Sequence, residues 1–174
     1  MGRTVVLSDE AGNAIGSMDL LEAHTGRGSL HRAFSVYVWN PKRTKLLLQR
    51  RSEKKMLWPD IWANTCCSHP FAHEGVKEAG ERRLREELGL TCALREGPAF
   101  VYRAEDHAGR GVEHEYVRTL IGAIEESTHL SPNPEEVAEW KWMDLSALQR
   151  DFQKHPDLYA PWLKIGLRKV LGNY

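Results

Sequence analysis

Cysteine is scarce in this 174-residue chain, which has only Cys66, Cys67 and Cys92. The count is odd and two of the three are adjacent, a poor geometry for a bridge, so a secreted disulfide framework is not expected. A reducing, cytoplasmic setting fits better. No stretch approaches the roughly 18 uninterrupted apolar residues of a membrane span, and the opening residues Met1 to Asp9 lack the apolar core of an export signal. Charge of one sign is not in excess either: Lys plus Arg and Asp plus Glu each total 24. With no global field, neither nucleic acid nor a membrane surface is expected as a partner, and any anionic ligand must be met by a local group of cations. Pro/Ser-rich linkers, low-complexity runs and internal repeats are missing, so residues 1–174 read as one domain, long enough to bury a core without staples. A monomer or weak homodimer is expected.

Alternation of apolar and polar residues marks strands at Ala33 to Trp39 and Val112 to Leu120, with weaker candidates at Lys45 to Gln49 and Val137 to Met143. Residues Asp106 to Gly111 read as a hairpin turn ahead of the second strand. The best helix spans Glu74 to Leu88, where Val76, Gly80, Leu84 and Leu88 form one stripe and Gly89 supplies a stop. Further helices are expected from about Pro161 to Val170 and from Leu145 to Phe152. Strands interspersed with a few helices indicate a mixed α/β or α+β domain.

The central helix carries carboxylates densely set among arginines. Glu78–Arg82, Arg82–Glu86 and Arg83–Glu87 are i,i+4 pairs, worth about 0.2–0.5 kcal/mol each on a solvated face without any function. Upstream of it, Cys67 stands two residues from His69, a spacing that suits a buried small side chain, a catalyst or a fragment of a zinc site. A zinc finger is excluded because no second Cys-x-x-Cys or His-x-x-x-His motif accompanies it. Glu113 and Glu115 lie two apart on an expected strand and so share a face. Two carboxylates there are either a solvated surface or, if buried, a pair needing a cation or a shared proton. His24, His31, His69, Glu113 and Glu115 together would suit zinc or manganese, provided the fold gathers them.

These pieces resemble one family. Ala23-His-Thr25, Leu30-His-Arg-Ala-Phe-Ser35, Asn64-Thr-Cys-Cys-Ser-His-Pro70, Tyr102-Arg-Ala104, Glu113-His-Glu115 and Pro161-Trp162 follow in the order and spacing of type I isopentenyl diphosphate isomerases. The match runs from about residue 4 to 165, and the Asn64 to Pro70 stretch is its most specific part. The helix resembles a Nudix box with two departures. Ser68 replaces the box glycine, and Arg83 replaces a glutamate that binds metal for hydrolysis, exchanging a cation ligand for a guanidinium fork able to hold phosphate.

The resemblance implies a Nudix-like mixed β-sheet sandwich flanked by helices. It implies a divalent metal, Mn2+ or Zn2+, on His24, His31, His69, Glu113 and Glu115, and an acid–base pair of Cys67 and Glu115 with Tyr102 bonded to the glutamate. Arg51, Lys55 and Arg83 would bind the diphosphate of an allylic or homoallylic substrate. Glu87 and the main-chain carbonyl of Cys67 would hold Mg2+ against it. Trp162 would line the hydrocarbon pocket and stabilise a carbocation by about 0.5–2 kcal/mol. In this scheme Glu115 protonates the alkene and Cys67 accepts a proton as thiolate. Where the family often has a lysine, four residues before the first metal histidine, this chain has Leu20, which removes one expected phosphate contact unless a neighbour such as Arg27 replaces it. Hydrolysis of a diphosphate-containing substrate, as in other Nudix enzymes, is the competing activity, and a non-catalytic metal-binding domain is a third reading.

Overall fold

The computed structural model describes residues 3–172. Its centre is strand β3 (His31–Trp39), eight of whose nine residues are buried. Alternation sends Ala33, Tyr37 and Trp39 into one apolar cluster and Phe34, Val36 and Val38 into another. A strand buried on both faces needs cover on both, and helices supply it. Helix α2 (Val76–Leu88) brings Ala79, Leu84 and Leu88 to the second cluster. Helices α3 (Leu145–Lys154) and α4 (Pro161–Leu171) bring Leu148, Trp162, Leu163 and Leu167 to the first.

Among the described residues nine strands join in one mixed sheet. β1 (Thr4–Ser8) and β2 (Ala14–Asp19) form an antiparallel hairpin that leads into the short helix α1 (Leu20–Ala23). β4 (Lys45–Arg51) pairs with β9 (Val137–Asp144), and the two-residue β5 (Trp62–Ala63) adds to β4. β6 (Cys66–Ser68) lies antiparallel on β3, whereas β8 (Val112–Ala123) runs parallel along the whole of it. β7 (Arg95–Glu105) is hairpin-linked to β8, and the Asp106 N–H donates to the Gly111 carbonyl across the expected turn.

The four expected strands and three expected helices are all present, with ends shifted by a few residues. The largest difference is the end of β8 at Ala123 instead of Leu120, and α2 starts at Val76 instead of Glu74. Glu74 is engaged before the helix begins: its carboxylate accepts from the Phe71 N–H and grips Arg82 through bonds of 2.7 and 2.8 Å. Arg82 accordingly pairs with Glu74 and Glu86, not with Glu78. Gly80 has a packing reason, since a Cβ there would lie 2.4 Å from Leu120 of β8. α2 ends on Gly89 at φ 61°, the left-handed cap expected of it.

Candidate active site

Strand register builds the site. His31 opens β3 directly opposite Glu115 of β8, and Tyr102 of β7 stands opposite Glu115 on its other side. Cys67 of β6 is registered against Ser35 on the other edge of β3. His24 caps the C-terminus of α1, and its carbonyl accepts from the Val112 N–H, which ties α1 to the start of β8. Thus four strands and one helix end deliver side chains to one place, although up to 91 residues of sequence separate them.

His24, His31, His69 and Glu113 offer ligand atoms that all lie within 4.8 Å of one another. The His24 Nδ1 faces the Leu20 carbonyl at 2.6 Å and the His31 Nδ1 faces the Ser29 carbonyl at 2.8 Å. A carbonyl accepts only, so both rings carry a proton on Nδ1, and a neutral ring then turns its Nε2 lone pair inward. There His24 Nε2 meets Glu113 Oε2 at 2.9 Å, and His69 Nε2 meets His31 Nε2 at 3.1 Å and Glu115 Oε1 at 3.0 Å. Three imidazole nitrogens and a carboxylate oxygen that converge within 4.8 Å of one another form a donor set that fits a divalent metal.

Protonation follows the same field. Burial lowers the pKa of His24, but the Glu113 hydrogen bond and charge outweigh it and raise it to about 9. Burial, with help from neighbouring imidazole, pushes His31 down to about 4 and His69 down to about 3, so both are neutral at pH 7. Neutral imidazole is the form a metal requires, so metal binding must displace the second proton of His24.

Beside this cluster lies a cavity of about 320 Å³. Cys67, His69, Tyr102, Glu113, Glu115 and Trp162 contribute to its wall, as do Arg51, Lys55 and Arg83. The Tyr102 hydroxyl donates to Glu115 Oε2 at 2.7 Å, leaving Oε1 for the histidine cluster. Trp162 is 2% exposed, shares the cavity wall with Tyr102, and is backed edge-on by Trp58 with ring centroids 5.3 Å apart. Arg51 is fixed by the Trp58 and Leu57 carbonyls and directs Nη1 at the Cys67 sulfur, 3.5 Å away.

Burial pushes the Cys67 thiol up to about 11 even though Arg51 opposes it.

Two more residues are placed differently from a ready-made diphosphate site. Glu87 is fully buried behind Arg83 instead of on the cavity wall, and its carboxylate accepts from Arg83 at 2.6 Å and Gln49 at 3.2 Å. Lys55 is ion-paired with Glu136, which also accepts from Arg83 at 3.0 Å. The Nε of Arg83 has no hydrogen-bond partner although buried. Glu136 and Arg3, both on the cavity wall, were not singled out by the sequence. Glu136 falls between the motifs and Arg3 just ahead of them, and a lone charged residue in a loop or at a strand start carries no signal of its own.

The NUDIX domain family matches residues 29–163. The isopentenyl-diphosphate Delta-isomerase of Halorhodospira halophila is 42% identical over 160 residues, spanning 92% of this chain and 90% of that protein. The protein of the same name from Nocardia farcinica is 43% identical over 159 residues, with 91% and 89% covered. Among solved structures, DR0079 from Deinococcus radiodurans superposes with a TM-score of 0.74 over 96% of this chain and 99% of that one, at 16% identity. The dihydroneopterin triphosphate pyrophosphohydrolase of E. coli gives 0.62 over 80% and 94%, also at 16% identity. Likeness at such identity establishes the fold alone.

Proposed function

The chain belongs to the NUDIX family and, within it, to the isopentenyl-diphosphate Delta-isomerases, and on that premise we propose that it interconverts isopentenyl and dimethylallyl diphosphate by adding one proton and removing another. The observation that supports this best is the meeting of Cys67 and the Tyr102–Glu115 pair at one aromatic-walled cavity, delivered from opposite edges of β3.

An alkene is a very weak base, and protonating its terminal carbon leaves a tertiary carbocation. The site must therefore hold a proton donor and a proton acceptor and exclude water that would trap the cation. We assign the mobile proton to the Cys67 thiol. It passes from sulfur to the terminal carbon, and Arg51 Nη1 stabilises the thiolate left behind. The Glu115 carboxylate then takes a proton from the neighbouring carbon, and the double bond shifts by one position. Tyr102 holds that carboxylate in place. Trp162, which lines the cavity with Trp58 packed edge-on behind it, shields the cation from water, and its π system favours positive charge. In the reverse direction the same groups exchange roles.

His24, His31, His69, Glu113 and Glu115 are the proposed ligands of the divalent metal, Mn2+ or Zn2+, which supplies positive charge that fixes and polarises the Glu115 carboxylate when bound. Arg51, Lys55 and Arg83 are proposed to bind the diphosphate. A diphosphate competes with Glu136 for Lys55 and Arg83. Drawing Arg83 outward would also release Glu87, which with the Cys67 carbonyl is the proposed Mg2+ site. A reducing compartment such as the cytoplasm suits the free thiol of Cys67. Among the described residues no helix is long and apolar enough to cross a membrane.

Substitution tests the assignment. Cys67→Ala is expected to lose essentially all turnover while retaining its metal, and near wild-type turnover would remove the cysteine from the mechanism. Glu115→Gln is read together with metal content, because it alters a proposed ligand as well as the proton acceptor.

A further inference from the structure

The cations of the cavity are not equivalent. Lys55 and Arg83 share the Glu136 carboxylate, and Arg83 is bound by Glu86 and Glu87 as well. Arg51 is occupied with two backbone carbonyls and the Cys67 sulfur. Arg3 differs from all of them. It lines the same cavity, yet among the described residues it forms no ion pair, and its guanidinium makes a single hydrogen bond, from Nη2 to the Ser68 hydroxyl at 2.8 Å.

That bond connects two departures from the family pattern. Ser68 stands where a Nudix box has glycine, and glycine has no side chain to hold an arginine. Leu20 stands where a lysine is often found, and its N–H donates to the Arg3 carbonyl at 2.7 Å, so the two backbones are in contact. Leu20 itself lines the cavity with an apolar side chain. The cation absent at position 20 is therefore present one strand away, at the start of β1, anchored by a hydroxyl that glycine could not provide.

We propose that Arg3, positioned by Ser68, is a fourth diphosphate-binding residue that supplies the phosphate contact Leu20 cannot make. The inference rests on the reading of the cavity as a diphosphate site. It adds a residue that no motif marks. The electrostatics agree: burial and the charges of Arg83 and Arg82 disfavour the cationic form of Arg3, while Glu136 and Glu87 favour it, which places it in one field with the Arg83 cluster. Like charges gathered in this way are relieved by a bound anion. The guanidinium fork can keep Ser68 on one nitrogen and offer phosphate the others.

The test measures binding of inorganic diphosphate with Mg2+ by calorimetry on metal-loaded protein, and KM and kcat for isopentenyl diphosphate in parallel. Arg3→Gln is expected to raise both the diphosphate Kd and the substrate KM about tenfold, with kcat within about twofold and metal content unchanged; tenfold corresponds to about 1.4 kcal/mol. Arg3→Lys should recover most of the loss, as should Leu20→Lys placed in the Arg3→Gln protein. Ser68→Ala should weaken binding only while Arg3 is present. A diphosphate Kd within about twofold of wild type in Arg3→Gln overturns the inference, and so does a loss that follows metal content or kcat instead of KM. A wild-type protein that binds diphosphate but does not isomerise would instead count against the proposed function, while the Kd of Arg3→Gln still decides the role of Arg3.

Discussion

Gly166 of α4 sits where the helix carrying Trp162 crosses the core. A Cβ at this position would lie 2.1 Å from the Tyr37 hydroxyl oxygen, 3.0 Å from Tyr37 Cζ and 3.1 Å from Phe100 Cε1. Tyr37 is fully buried and its ring cannot swing away. Two effects of Gly166→Ala compete. Alanine gains about 1 kcal/mol of helix propensity over glycine, whereas forcing a methyl into a packed core costs about 1–3 kcal/mol. An overlap this deep belongs at the upper end, so a net loss of about 2 kcal/mol is expected. For a domain of this size that lowers Tm by roughly 4–8 °C. The helix must also move outward, taking the Trp162 wall with it, so KM should rise along with the loss of stability. Thermal unfolding by circular dichroism and steady-state kinetics read the two effects. Adding Tyr37→Phe removes the closest atom and should restore part of the stability, an interaction that a double-mutant cycle measures. A Gly166→Ala protein as stable as its parent, or a penalty identical with Tyr37 and with Phe at position 37, would refute the packing argument.

Other expectations follow from the site itself. Tyr102→Phe removes a hydrogen bond to a carboxylate, worth about 1.5–3 kcal/mol. It should lower kcat by about ten- to a hundredfold with metal content intact; a kcat within about twofold would show that the bond does not position Glu115. Burial acts to raise the pKa of Glu136, but Lys55 and Arg83 outweigh it and bring it from 4.5 to about 2. Its stabilising contribution is thus present above pH 4.5 and lost as pH falls toward 2. In urea titrations across that window Glu136→Gln should show a smaller acid-induced loss than wild type, and parallel curves would contradict the assignment. Removing bound divalent metal with a chelator should lower Tm and abolish turnover, because an ion that binds the folded form stabilises it by mass action; re-adding Mn2+ or Zn2+ should restore both. An unchanged Tm after verified metal removal would count against the five-residue site.

Strong periodicity made much of this fold readable in advance. The alternation along β3 and β8 and the stripe on α2 reflect one-sided or two-sided burial, which leaves a direct trace in residue order. β7 left no such trace: it carries Gly97 and Pro98 at a register shift, and many of its residues are exposed. β6 is only three residues long, held by its pairing to β3 and not by its own preference. In the site, the histidines and glutamates were marked by residue type and motif, but their convergence depends on the His31–Glu115 register, a tertiary fact. The upward pull on the Cys67 thiol could not be read from sequence because it follows from burial. Glu136 and Arg3 are single charges outside any motif, and only the folded chain brings them to the cavity wall.

The most direct measurement follows isopentenyl diphosphate by NMR in deuterated water with metal-loaded protein and Mg2+. Dimethylallyl diphosphate that carries deuterium, formed without release of phosphate, is the expected result. Phosphate release without a shift of the double bond, or no reaction by folded, metal-replete protein, would contradict it.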